Sequence, residues 1–97
     1  MHNYYVYILT NPKKSVLYIG VTNNLKRRLQ EHVSGTLEKR HSFTSRYFCY
    51  NLIYFEYFQQ INMAIARETE LKKWSRAKKE LLINKRNPEW RFLNDEI

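Results

Sequence analysis

Glu68 is the carboxylate whose placement most invites chemistry. At about 100° per residue, Ala64 and Leu71 fall within about 20° of each other on a helix, and Ile61 and Ile65 complete an apolar stripe. Glu68 lies about 40° from Ala64, inside that stripe, whereas Glu70 points away. An ionised carboxylate facing a core costs several kcal/mol unless a cation satisfies it. Two partners answer that need: an arginine, which makes a buried ion pair, or a divalent metal ion. Arg28 and His32 form an i, i+4 pair beside a Leu25/Leu29/Val33 face, with Arg27 on the opposite side. Arg28 is therefore expected to look across the fold and Arg27 to be solvated. Tyr7 and Tyr18 sit centrally in two strand-like runs whose register can bring both rings to one face. A tyrosine hydroxyl is most often the hydrogen-bonding tip of a core residue. Joined by a carboxylate, an arginine and a basic helix, two such hydroxyls also make a set that phosphodiester hydrolysis can use.

Several elements must position these groups. Tyr4-Tyr5-Val6-Tyr7-Ile8-Leu9 is β-branched and aromatic, and Asn11-Pro12-Lys13-Lys14-Ser15 ends it with turn chemistry. Val16-Leu17-Tyr18-Ile19-Gly20 returns as a second strand of an antiparallel hairpin. Thr22 or Asn23 is placed to cap a helix that stops near Gly35. Residues 36–50 are polar and basic without a clean period and read as a loop with a short turn. Leu52-Ile53-Tyr54-Phe55-Glu56-Tyr57-Phe58 is the third strand. Helices follow over 62–74 and from Ser75 or Arg76 to 85, and Pro88 prevents simple continuation. The expected fold is α+β, a small three-stranded antiparallel sheet flanked by helices in the order ββα–loop–βαα.

Composition narrows the classes further. The 97 residues predict one domain over 1–97, and 43% hydrophobic with 27% charged residues is a globular balance. Cys49 is the sole cysteine, so no internal disulfide forms and a reducing, cytoplasmic setting is expected. No apolar run approaches a membrane span, so no membrane partner is expected. The sequence has no CxxC pair, HExxH, Walker loop or GxGxxG, and no serine in a strand-to-helix elbow. Seventeen Lys+Arg against nine Asp+Glu give a net charge of +8, the electrostatic sign of a polyanion partner. Seven cations (Lys72, Lys73, Arg76, Lys78, Lys79, Lys85 and Arg86) crowd the last helices against one acid, Glu80. Such a run neutralises phosphates or forms a solvated helix face.

Read together, these residues carry a resemblance. Tyr5-Val6-Tyr7, ten residues, then Tyr18-Ile19-Gly20 resembles the signature of the GIY-YIG nuclease family. Thr22-Asn23-Asn24-Leu25-Lys26-Arg27-Arg28-Leu29-Gln30-Glu31-His32 is similar to that family's helix, with its arginine at Arg28. Ala66-Arg67-Glu68-Thr69-Glu70-Leu71-Lys72-Lys73-Trp74 resembles the segment that holds its metal-binding glutamate, at Glu68. With Asn87-Pro88-Glu89-Trp90, the similarity covers nearly the whole chain and is closest to small stand-alone bacterial members.

The resemblance implies a single Mg²⁺ or Mn²⁺ ion held by Glu68 and water. It implies a tyrosine, Tyr7 with Tyr18 as partner or the reverse, that activates the attacking water. Arg28 would hold the scissile phosphate and His32 would hydrogen-bond within the site, unless it is an ordinary half-buried histidine. Gly20 would admit close approach of backbone or substrate, or simply end a strand. Lys72, Lys73, Arg76, Lys78 and Lys79 would track a nucleic-acid backbone, with Arg46 and Tyr47 of the middle loop. Cations near a helix C-terminus also favour the macrodipole, which applies to Lys72 and Lys79.

The sequence departs from the family pattern in three places. Tyr5 replaces the first glycine, and Val21 stands where excision-repair incision subunits carry a lysine. The family's asparagine after the glutamate has no counterpart at the usual separation, and Asn87 is a candidate on order alone. The implied activity is metal-dependent DNA endonucleolysis, with RNA left open. Specificity would be low, directed by nucleic-acid structure, or supplied by a partner protein. The alternatives are a non-catalytic nucleic-acid-binding module in which Glu68 pairs with Arg28, and an interaction protein whose basic helix docks an acidic partner.

Overall fold

A computed structural model describes residues 2–34 and 47–97. Strand β1 (Tyr4–Thr10) is central, with β2 (Leu17–Thr22) and β3 (Asn51–Phe58) antiparallel on either side. Helix α1 (Leu25–Ser34) follows β2, while α2 (Ile61–Lys73) and α3 (Arg76–Arg86) follow β3. A 3₁₀ turn at Asn94–Glu96 ends the chain. The architecture is the expected α+β sheet with flanking helices. Among the described residues no helix is long and apolar enough to cross a membrane.

Both faces of β1 are covered, so its residues alternate between two cores rather than between core and solvent. Val6 and Ile8 join Ile19, Ile53, Tyr54, Ala64, Leu71 and Ile83 beneath α2 and α3. Tyr7 and Leu9 join Leu25, Leu29, Cys49 and Leu52 beneath α1. In β3 the register shifts between Ile8↔Tyr54 and Leu9↔Leu52, a bulge with Ile53 as the extra residue. Ile53 and Tyr54, though consecutive, therefore both face α2 and α3, while Leu52 and Phe55 face α1.

The β1–β2 turn is built by Asn11, whose side-chain oxygen accepts from the amides of Ser15 (2.8 Å) and Val16 (3.0 Å). The cap of α1 is Asn24, not Thr22 or Asn23. Its side-chain oxygen accepts from the Arg27 amide at 3.0 Å, while Thr22 Oγ1 accepts from the Asn24 amide and shapes the approach. Ser75 caps α3 by accepting from the Lys78 amide. Gly35 and most of the 36–50 stretch lie outside the described residues. Of the remainder, Cys49 is buried under α1, and burial pushes its thiol up to about 11.

Candidate active site

The α1 face of the sheet gathers three of the predicted residues. In the β1–β2 register Tyr7 stands opposite Gly20 and Leu9 opposite Tyr18, so both tyrosines project toward α1. His32, in the last turn of α1, comes down between them. The three rings form a triangle with centroid separations of 6.4 Å (Tyr7–Tyr18), 6.1 Å (Tyr7–His32) and 5.9 Å (Tyr18–His32). His32 is 1% exposed, and its Nε2 lies 3.2 Å from the Tyr7 hydroxyl. With Nε2 unprotonated, the hydroxyl donates to it. Tyr7 is 2% exposed, whereas Tyr18, on the edge strand, is half-buried.

Gly20 makes this packing possible. A Cβ built on it would stand 2.4 Å from the Tyr7 hydroxyl oxygen and 2.5 Å from its Cζ. The close approach that the glycine admits is therefore the ring of Tyr7, and Gly20 is a seat for that tyrosine.

Glu68 belongs to the other side of the sheet and reaches toward the β2 edge. Ala64 and Leu71 are the buried line of α2. Arg67 and Trp74 lie on one flank of that line and Glu68 and Lys72 on the other. The buried stripe is narrower than the expected one: Ile61 and Ile65 are 44% and 46% exposed. Three strands give α2 only a narrow floor, so residues on the Glu68 flank overhang it. Glu68 is consequently only partly buried, its side chain 18% exposed, and among the described residues its partner is neither Arg28 nor another arginine. Lys72 Nζ lies 3.2 Å from its Oε2. Lys72 also lines a groove of about 250 Å³ with Leu17, Tyr18, Ile19 and Lys79. One lysine thus connects the carboxylate on α2 with the half-exposed tyrosine of β2.

A divalent ion fits this arrangement in one form. Among the described residues no three His, Cys, Asp or Glu side chains stand together as a ligand group. Mg²⁺, however, keeps several waters and takes one or two carboxylates plus substrate phosphate oxygens. A partly exposed carboxylate at the rim of a basic groove meets that requirement.

The remaining predicted residues divide. Arg28 is half-buried one turn before His32, while Arg27 is exposed and pairs loosely with Glu31 at 3.9 Å. Lys79 faces the Tyr18 groove, and Lys73 is exposed. Lys78 lies away from that groove, with its Nζ 4.3 Å from the Trp74 ring centroid. Arg76 is committed to the scaffold: it donates to the carbonyls of Ser15 (2.8 Å) and Lys14 (3.1 Å) and pairs with Glu80 at 2.8 Å, clamping α3 to the β1–β2 turn. Asn87 is a clasp. It is buried, donates to the carbonyls of Ile53 (3.0 Å) and Arg91 (2.9 Å), and accepts from the Arg91 amide. Arg46 lies outside the described residues, and Tyr47 is exposed.

A partly buried glutamate–arginine pair does form, at Glu56 and Arg67 rather than at Glu68. Arg67 donates from Nε and Nη2 to both oxygens of Glu56, each at 2.9 Å, and from Nη1 to Glu70 at 2.8 Å. The Tyr54 hydroxyl also donates to Glu56. Burial pushes the Glu56 carboxyl up, but the hydrogen bonds from Arg67 and Tyr54 and the charges of Arg67 and Arg86 outweigh it and hold the group below its ordinary value. Burial, reinforced by Glu56, raises the Tyr54 hydroxyl to about 12. The hydrogen bond to Glu56 likewise raises Arg67. This bidentate pair fixes the rotation of α2 over β3 and so aims Glu68 at the opposite edge. A signal was present: Glu56 interrupts an otherwise apolar strand.

Comparison with known proteins identifies the family. Residues 3–81 match the family model of the GIY-YIG catalytic domain. A UPF0213 protein of Syntrophus aciditrophicus is 40% identical over 89 residues, covering 92% of this chain and 98% of that one. A UPF0213 protein of Natronomonas pharaonis is 38% identical over 81 residues, covering 84% and 91%. The solution NMR structure of a UPF0213 protein from Bacillus halodurans superposes with a TM-score of 0.56 at 32% identity, covering 91% of this chain and 89% of that one. The match runs from the strand that carries Tyr7 through the helices that carry Glu68 and Lys79, and the chain belongs to the GIY-YIG family.

Proposed function

We propose that the protein is a divalent-metal-dependent endonuclease that hydrolyses phosphodiester bonds in DNA, with weak sequence preference or with selection by nucleic-acid structure. The observation that carries this reading is the basic groove on the β2 edge. It meets the Tyr7–Tyr18–His32 cluster through Tyr18 and the Glu68 carboxylate through Lys72.

Glu68 would hold one Mg²⁺ or Mn²⁺ ion, which supplies Lewis-acid stabilisation of the charge that builds on the phosphate. Tyr7 would act as the base for the attacking water. A phenol of unperturbed pKa about 10 needs an acceptor for its proton near neutral pH, and His32 Nε2 stands 3.2 Å away. Tyr18, the more exposed hydroxyl, would orient the water or phosphate at the groove. Arg28 would stabilise the transition-state charge, while Lys79 and Lys73 hold flanking phosphates without reading bases.

A second reading, a nucleic-acid-binding module without catalysis, is favoured by the Glu68–Lys72 pair, which satisfies the carboxylate within the protein. The separating experiment incubates labelled duplex, branched and single-stranded DNA, and their RNA counterparts, with Mg²⁺ or Mn²⁺, and measures binding in EDTA alongside. Metal-dependent cleavage supports the nuclease. Salt-sensitive binding without cleavage on any substrate supports the module.

A further inference from the structure

The pair that Lys72 makes is unusual for its neighbourhood rather than its strength. An exposed i, i+4 lysine–glutamate pair is worth only about 0.3–0.5 kcal/mol in general, so it is readily opened. Here the glutamate is the carboxylate assigned to the metal, and the lysine is one of two cations, with Lys79, lining the groove beside Tyr18. Its ammonium therefore has two anionic destinations within a side chain's length: Glu68 Oε2, or a phosphate seated in the groove.

We propose that Lys72 is a displaceable counterion. It occupies Glu68 until a divalent ion arrives, and the released ammonium then becomes a phosphate contact in the Tyr18–Lys79 groove. The inference rests on the metal reading of Glu68. It adds that metal and nucleic acid bind with positive coupling, because the ion frees the cation that the phosphate needs. Neighbouring Lys73 carries the same charge about 100° further round the helix and lacks this place in the groove.

The test measures Mn²⁺ binding to the intact protein alone, by electron paramagnetic resonance of the free ion, for wild type, Lys72→Gln, Lys73→Gln and Glu68→Gln. Lys72→Gln is expected to bind Mn²⁺ about three- to tenfold tighter, the size expected when a partly screened charge is removed a few ångströms from a divalent ion. Lys73→Gln is expected to change the affinity by about twofold or less, because its charge is further off and solvated. In a second arm, Lys72→Gln should weaken binding of a labelled duplex in Ca²⁺ by about threefold and by clearly less in EDTA, where Lys72 stays on Glu68.

Equal Mn²⁺ affinity in wild type and Lys72→Gln, or an equal gain in Lys73→Gln, overturns the counterion role. Equal weakening of duplex binding in Ca²⁺ and in EDTA overturns the transfer to phosphate. Mn²⁺ affinity unchanged in Glu68→Gln is a different failure: it removes the metal reading itself, and this proposal with it.

Discussion

Gly20→Ala is the smallest change that tests how the site is held. The new methyl carbon would stand 2.4 Å from the Tyr7 hydroxyl oxygen, 2.5 Å from Cζ and 3.0 Å from Cε1. Ordinary contact needs about 3.4 Å or more, so the end of the ring must retreat by about 1 Å. Tyr7 is 2% exposed and packed against Tyr18 and His32, so the ring cannot swing into solvent. Overpacking of this kind costs about 1–3 kcal/mol, or roughly 4–20 °C in Tm for a chain of this size. The same displacement disturbs the 3.2 Å contact between the Tyr7 hydroxyl and His32 Nε2. A misplacement of about 1 Å costs on the order of 100-fold in rate. The assay pairs calorimetric Tm with single-turnover cleavage for Gly20→Ala, Tyr7→Phe and the double variant. If the glycine acts through Tyr7, its rate defect largely disappears in the Tyr7→Phe background. A Gly20→Ala protein with wild-type Tm and wild-type cleavage refutes the reasoning, as does a defect that multiplies undiminished onto Tyr7→Phe.

Other predictions follow from the scaffold. Arg67→Met leaves Glu56 partly buried without its bidentate partner and should cost about 2–4 kcal/mol in urea denaturation at pH 7. Because the Glu56 carboxyl is held below its unfolded value, its contribution is fully present above the unfolded pKa of about 4.3 and is lost as the pH falls through the folded value. The acid limb of wild-type stability should therefore be steeper than that of Glu56→Gln. Arg76→Ala should lower stability by about 1 kcal/mol, allowing for solvent screening, and leave the salt slope of DNA binding nearly unchanged. Lys79→Ala should reduce that slope by about one and leave Tm nearly unchanged. Cys49, fully buried with its thiol near 11, should react with a disulfide reagent at pH 8 only as fast as the protein opens, and rapidly in urea.

Much of this was legible in the sequence because period and spacing are local. Tyr7 and Tyr18 fall on one face as the strand period requires. Helix phase separated a half-buried Arg28 from an exposed Arg27. The start of α3 at Ser75 or Arg76 is local too, and Arg76 is where the helix begins. What was not legible depends on contacts made across the fold. Phase put Ile61 and Ile65 on the same stripe as Ala64, but the width of a three-stranded floor decides how much of that stripe is covered. Phase likewise singles out Glu68 as a carboxylate needing a partner, while the bidentate arginine pair forms at Glu56, where the β3 bulge turns Tyr54 toward α2. Arg76 counted as one more cation until the β1–β2 turn supplied carbonyls to it. Gly20 could be read as a strand end because nothing local to it shows that the ring of Tyr7 lies across it from β1.

On the proposed function, Glu68 on α2 and the tyrosine–histidine cluster under α1 act on one phosphodiester across the β2 edge. The most direct measurement is Mg²⁺-dependent cleavage of a labelled branched duplex by wild type and Glu68→Gln, with binding of both proteins to the same duplex measured in EDTA. Wild type is expected to cleave, the variant to lose about 1,000-fold or more in rate as when a metal ligand is removed from the reacting centre, and EDTA binding to agree within about threefold. Cleavage by Glu68→Gln at the wild-type rate contradicts that proposal.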